Sequence, residues 1–342
     1  MKAKSPGEKA QLEKAIFEGT QGAWEVYADW LQSQGDPKGE LAALVMKKPE
    51  RVNAWLKPRR PALFGELAML LEDSTIEVRQ WHPGFVKTLK VKPNPDNNDD
   101  LGVLLTELLA APICTFVDGL IVNDSASVWA GGLEALVKSA QAQRLTRLEV
   151  SSTDGEGGDL SKILPRLPKL ERLTIDGDNI TVAEKNLELP NVTSLTWSVQ
   201  ALGDEPRILA RAKLPKLSRF ELAVGYEEEG DFEIADELAP VKCISKLLSA
   251  GTLRELVLSG LTFDETRLEQ LLESDGLTKL HLLDLDACFV QHDAVEMLRE
   301  HVPLLQRIAQ VRPPRAGDGD ENEDLELDLG YDEAGGPESS ED

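Results

Sequence analysis

Hydrophobic positions recur along most of this chain in one local pattern, apolar-x-x-apolar-x-apolar. It occurs eight times. The units are Val86-Leu89-Val91, Val117-Leu120-Val122, Leu145-Leu148-Val150, Leu170-Leu173-Ile175, Val192-Leu195-Trp197, Leu217-Phe220-Leu222, Leu253-Leu256-Leu258 and Leu280-Leu283-Leu285. The last two apolar positions of each unit stand two residues apart, the spacing at which strand side chains share a face. Successive units begin 31, 28, 25, 22, 25, 36 and 27 residues after one another. Several intervening stretches, 99–111, 127–141, 234–250 and 264–274, carry apolar residues at helical spacing, and Val295, Met297 and Leu298 fall on a last expected helix. A single strand–helix unit cannot bury its apolar face alone, so the units must stack on one another.

A stacked unit of roughly 20–29 residues with this pattern is the signature of a leucine-rich repeat. The expected fold is therefore α/β: a leucine-rich-repeat solenoid of about eight parallel strands with helices on the convex side, over residues 85–312. The position three residues after each unit, where the family favours Asn or Cys, holds Asn94, Ser125, Thr153, Asp178, Gln200, Gly225, Leu261 and Cys288. No Asn ladder is expected, and the repeats resemble an irregular bacterial array. The long step between the sixth and seventh units contains an acidic insertion, 225–234, which reads as a solvated loop, with Tyr226 and Phe232 as candidate contact residues.

Ahead of the repeats the pattern changes to helical spacing. Helices are expected over 8–18, over a second stretch with Ala23, Val26, Tyr27, Trp30 and Leu31 on one face, and from Pro37 to Met46. Asp36 is placed to cap the third helix, and Pro37 suits its first position. The words Val26-Tyr27-Ala28-Asp29-Trp30-Leu31 and Gly35-Asp36-Pro37-Lys38-Gly39-Glu40-Leu41 resemble the short repeat-companion domain found at the N-terminus of bacterial repeat proteins. That resemblance covers about 40 residues and implies a small helical module with no assigned chemistry. Tyr27, Trp30 and Asp29 are expected to pack the module and tie its helices together. A further helix over 62–72 follows a linker at 58–61 and is expected to cap the array. The organisation expected is a helical module at 1–57, linker and capping helix at 58–84, the solenoid at 85–312 and an acidic tail at 313–342.

Composition narrows the function. The 342 residues carry a formal charge of −24, and residues 316–342 hold twelve Asp or Glu with no Lys or Arg. Such a chain repels phosphate, so neither nucleic acid nor an anionic membrane is an expected partner. The tail composition is that of a disordered segment, although Leu325, Leu327, Leu329 and Tyr331 alternate with acids in a way that can fold onto a partner. Three widely spaced cysteines, Cys114, Cys243 and Cys288, form no disulfide framework, and no apolar N-terminal or membrane-length run appears. A cytoplasmic location is expected. Nucleophile elbow, phosphate-binding loop and zinc-helix motifs are absent, Asp318-Gly319-Asp320 begins no EF-hand because Glu323 and Leu329 stand where Gly and Glu are required, and the histidines have no ligand spacing. The expectation is a non-enzymatic protein without cofactor or metal.

What remains is the open face of the sheet. Residues flanking the inward apolar pair project there, and the candidate partner-binding set is Lys90, Lys92, Arg147, Glu149, Arg172, Thr174, Thr196, Arg219, Glu221, Glu255 and Asp284. Thr88 is expected beside Lys90 on the same face. Arg147, Arg172 and Arg219 should form a column interrupted by Ser194, and the face should run from basic to acidic along the array. The function expected is a protein–protein interaction scaffold that uses this concave face. The alternative is an acidic inhibitor, of the immunity-protein type, that occludes a basic toxin or nuclease.

Overall fold

A computed structural model describes residues 6–93, 100–124, 126–152, 159–178, 180–183, 186–200, 202–225, 239–263 and 265–290. The expected helix around 295–298, most of the 225–234 insertion and the acidic tail lie outside these residues. One nine-stranded sheet runs in sequence order: β1 (Ile76–His82), β2 (Phe85–Val91), β3 (Gly119–Asp124), β4 (Arg147–Ser152), β5 (Arg172–Asp176), β6 (Ser194–Val199), β7 (Arg219–Val224), β8 (Glu255–Phe263) and β9 (Leu282–Val290). Strands β2 to β9 are parallel, one for each of the eight sequence units. The fold is a leucine-rich-repeat solenoid with a helical N-terminal module.

The register explains why the apolar pattern is so strict. Leu89, Leu120, Leu148, Leu173, Leu195, Phe220, Leu256 and Leu283 are paired strand to strand in one row, and every one is buried. Val91, Val122, Val150, Ile175, Trp197, Leu222 and Leu258 form a second buried row. A polar residue in either row would be desolvated without a partner, and truncation of a row leucine to alanine is expected to remove about 2–5 kcal/mol. The residue just after the first apolar position joins the repeats through the backbone. The carbonyl of Asp118 accepts the N–H groups of Thr146 and Arg147, that of Thr146 accepts those of Glu171 and Arg172, and the relation continues through Glu171, Thr193, Ser218 and Arg254 to Leu282. Thr146, Thr193 and Ser218 add a hydroxyl donor to the same carbonyls.

Behind the sheet stand α7 (Leu101–Ala110), α8 (Ala126–Lys138), α9 (Glu205–Arg211), α10 (Ala239–Ser249) and α11 (Glu265–Leu272). Helix α7 begins where the Asp100 carboxylate accepts from the N–H groups of Gly102 and Val103, and it buries Leu101, Leu104, Leu105 and Leu108 at spacings of three and four. Among the described residues the repeats between β4 and β6 carry no α-helix; a single 3-10 turn, Leu164–Arg166, and isolated bridges stand there instead. These are the repeats with steps of 25 and 22 residues. Helix α9 was not anticipated; Pro206 in its first turn is the signal that marks it.

The module consists of α1 (Pro6–Phe17), α2 (Ala23–Ser33) and α3 (Pro37–Lys47), followed by the short α4 (Val52–Leu56), α5 (Arg60–Phe64) and α6 (Ala68–Glu72). Asp36 caps α3, its carboxylate accepting the Lys38 N–H at 2.9 Å. The helix expected over 62–72 is two separate turns, because Gly65 takes φ 59° and breaks it. The stretch 58–84, read from sequence as linker and capping helix, also contains β1. That strand pairs antiparallel with β2 through a turn at Pro83-Gly84 and closes the first edge of the sheet. Gly84 is required there: its φ is 81°, and a Cβ would stand 2.5 Å from the Lys38 carbonyl. Helix α3 is thus seated against the β1–β2 turn.

A second apolar cluster joins module to repeats. Tyr27 and Leu31 pack on Phe85, the first residue of β2, and Phe116, just before Val117. The Tyr27 ring lies parallel to Phe85, and Phe116 meets Phe85 edge-on. Trp24 stacks on His82, whose Nε2 is 3.1 Å from the Asp118 carboxylate. The Arg144 guanidinium lies 3.5 Å from the Phe17 ring centre, and partial burial holds its pKa below the usual arginine value. The tie between module helices falls to Tyr27, whose hydroxyl donates to Glu13 at 2.9 Å; Asp29 is exposed. Burial, reinforced by Glu13, raises the Tyr27 pKa well above that of a free phenol.

Candidate protein-interaction face

The residues between the buried rows project to the other side of the sheet, away from the helices. Strands lie about 4.8 Å apart while packed helices need 8–10 Å, so this open face lies on the inside of any curvature the helices impose. Its first row reads Thr88, Gly119, Arg147, Arg172, Ser194, Arg219, Glu255, Leu282 in direct register. Its second reads Lys90, Ile121, Glu149, Thr174, Thr196, Glu221, Val257, Asp284. The arginine column is therefore real as a geometric feature, with Ser194 interrupting it. Lys92 is exposed just beyond β2, where its backbone N–H donates to Thr75.

The three arginines are not equivalent. Arg147 turns along its own strand, its Nε 2.7 Å from the Glu149 carboxylate and its Nη2 on the same oxygen. Arg219 reaches both Glu255 on the next strand, at 2.6 Å, and Glu221 on its own, at 3.0 Å. The Glu255 hydrogen bond, then Glu221, raises its pKa above the usual arginine value. Arg172, midway between them, is exposed and makes no ion pair among the described residues. Lys90 and Lys92 likewise make none. Two arginines of the column thus have their charge met inside the sheet, and Arg172 presents its charge to solvent.

Thr88 departs from expectation. It is 1% exposed, and its hydroxyl points toward Gln80 of β1 at 3.4 Å. The antiparallel strand supplies a neighbour that a parallel array lacks at its end. Gly119 sits beside it because a Cβ there would stand 2.6 Å from the Thr88 hydroxyl. The same strand enlarges the basic end: Arg79 and Gln80 of β1, with Lys90, Ile121, Arg147 and Glu149, line a concavity of about 370 Å³. Arg79 is paired with Glu77 at 3.1 Å. At the far end Glu221, Glu255 and Asp284 reverse the sign. Near the middle, partial burial and then neighbouring Asp178 raise the Asp176 carboxyl pKa, and Asp178 accepts the Gln200 N–H at 2.7 Å.

The three thiols are buried elsewhere, and burial pushes each pKa up to about 12, far from a nucleophile at neutral pH. Cys288 occupies the family's Asn/Cys position, and its thiol donates to the Leu258 carbonyl at 3.2 Å. Among the described residues no three His, Cys, Asp or Glu side chains converge as a metal site, and no helix is long and apolar enough to cross a membrane.

No family model matches the chain, and no curated protein matches it. Solved structures similar to it include a protein of Bacteroides fragilis, with 18% identity over 64% of this chain and 73% of that one and a TM-score of 0.46. An internalin from Listeria monocytogenes is also similar, with 14% identity over 63% of this chain and 83% of that one and a TM-score of 0.25. These likenesses are weak, and the fold assignment stands on the strand register and the repeat itself.

Proposed function

We propose that the chain is a non-catalytic scaffold that holds a protein partner on the open face of its repeat sheet. The observation that supports this most directly is the unpaired, exposed Arg172 at the centre of an otherwise internally paired column. A planar guanidinium in register between Arg147 and Ser194, with Thr174 next along its own strand, is a fork for a partner carboxylate. The polarity of the face, basic at β2 and acidic at β8 and β9, would orient that partner along the array. The N-terminal module, which resembles a repeat-companion domain, serves in this reading as the cap of the array's first edge.

The test is affinity capture from the cells that make the protein, comparing wild type with Arg172→Glu, with Arg147→Glu/Arg172→Glu, and with Lys162→Glu away from the face. A protein whose recovery falls tenfold or more with Arg172→Glu and is unchanged with Lys162→Glu supports the assignment. Equal recovery by all four removes the open face as the site. The acidic end and the −24 charge favour a second reading, an acidic inhibitor of one basic protein. That reading requires a single cationic protein, released by raised salt and insensitive to Arg172→Glu.

A further inference from the structure

We propose that the acidic tail, residues 316–342, docks in cis on the basic end of the open face, over Lys90, Lys92 and Arg79 and toward Arg172. The contact rests on the same face as the proposed partner site but needs no partner, so the tail acts as an internal competitor.

Charge complementarity singles out the occupant. The tail has twelve carboxylates and no cation, while the rest of the chain is itself acidic. On that acidic body, Lys90 and Lys92 at β2, and Arg172 three strands further on, are cations of the open face without ion pairs among the described residues. The concavity of about 370 Å³ between β1 and β4, lined by Arg79, Gln80, Lys90, Ile121, Arg147 and Glu149, lies beside Lys90. The tail's Leu325, Leu327, Leu329 and Tyr331 alternate with acids, so an extended segment would present carboxylates on one side and apolar groups on the other. Ile121, beside Lys90 in the second row, is an apolar neighbour for the latter.

Reach is not limiting. Seven strand intervals separate β9 from β2, about 34 Å at about 4.8 Å each. Residues 291–315 connect the last described strand to the tail, and 25 residues extend to at most about 85 Å. Tethering also changes which affinity matters. A linked segment meets its site at an effective concentration of about 1 mM, so a contact too weak to detect between separate molecules is substantially occupied within one. A partner would then bind with an affinity reduced by the fraction of open face, about twofold for a half-occupied tail.

The test uses the full-length protein with a zero-length carbodiimide cross-linker, which joins a carboxylate to a lysine amine only on contact. Mapping is by mass spectrometry on a mixture of ordinary and 15N-labelled chains. The expected result is tail peptides joined to Lys90 or Lys92 within one chain, at least fivefold above links to the exposed Lys162 and Lys216. These links should fall at least fivefold in 1 M NaCl, where the screening length is about 3 Å, and fall again with Arg172→Gln, which leaves both lysines in place. Equal yields at all four lysines, salt-insensitive links, no tail links, or links only between differently labelled chains would each overturn the proposal. Partner capture dependent on Arg172 would stand in any of those cases, so the two readings fail separately.

Discussion

Replacing Trp197 by phenylalanine removes one indole N–H from the interior of the sixth strand. The side chain is fully buried between Ile175 and Leu222, and its Nε1 has no hydrogen-bond partner among the described residues. A buried, unpaired donor forfeits about 1–3 kcal/mol of hydration, which phenylalanine would restore. Phenylalanine is smaller by about 40 Å³, and a void of that size costs about 1 kcal/mol at about 24 cal/mol per Å³. The two effects oppose, so Trp197→Phe should range from neutral to about 2 kcal/mol more stable than wild type. Trp197→Ala removes the same N–H but opens a far larger void and should cost about 3–5 kcal/mol. Equilibrium urea unfolding of the three proteins, with coincident circular dichroism and fluorescence transitions as the check that the array unfolds as a unit, measures both differences. A loss of 3 kcal/mol or more in Trp197→Phe would falsify the reasoning, because it would mean that the N–H is satisfied in the folded protein.

The buried thiols make stability fall in alkali. Each folded-state pKa, about 12, lies above the ordinary 9.0, so the contribution is intact below pH 9 and is lost as the unfolded chain ionises between about 9 and 12. The slope should approach about 1.4 kcal/mol per pH unit for each thiol, and a Cys114→Ala/Cys243→Ala/Cys288→Ala protein should show a shallower decline; identical alkaline profiles would refute this. In the same native state at pH 8 all three thiols should resist a disulfide reagent and become reactive on denaturation. Gly84→Ala forces φ 81° on an L-residue and drives a Cβ toward the Lys38 carbonyl. It should cost about 1–3 kcal/mol and speed proteolytic release of the first 70 or so residues, an effect read by timed digestion and absent if α3 does not seat on that turn.

Most of the repeat was legible because its constraint is local. An inward strand position must be apolar in every unit, so the pattern that begins at Val86 and ends at Leu285 carries the strands, their order and, through side-chain alternation, the membership of the open face. The caps were legible for the same reason: Asp36 and Pro37 act within one turn of themselves. Strand β1 was missed because Ile76 and Val78 are interleaved with Glu77 and Arg79 on an edge that needs only one apolar face. Pro83-Gly84 was the available turn signal. The break at Gly65 was hidden by an apolar spacing that continues across it.

The sequence by itself determined that Arg147, Arg172 and Arg219 share a column, since register follows from the repeat. Only the tertiary structure decided which of them is available. Whether a guanidinium finds a carboxylate depends on which way each side chain turns, along its own strand or across to the next. Arg147 meets Glu149 two residues along its own strand and Arg219 meets Glu255 on the next, while Arg172 stands in register between Arg147 and Ser194 with no ion pair among the described residues. Thr88 teaches the same lesson at the edge: its residue type fits an exposed row, but the antiparallel strand folded beside it removes it from solvent. Local chemistry sets the pattern of a repeat; the neighbours that exhaust or expose each charge belong to elements distant in the chain.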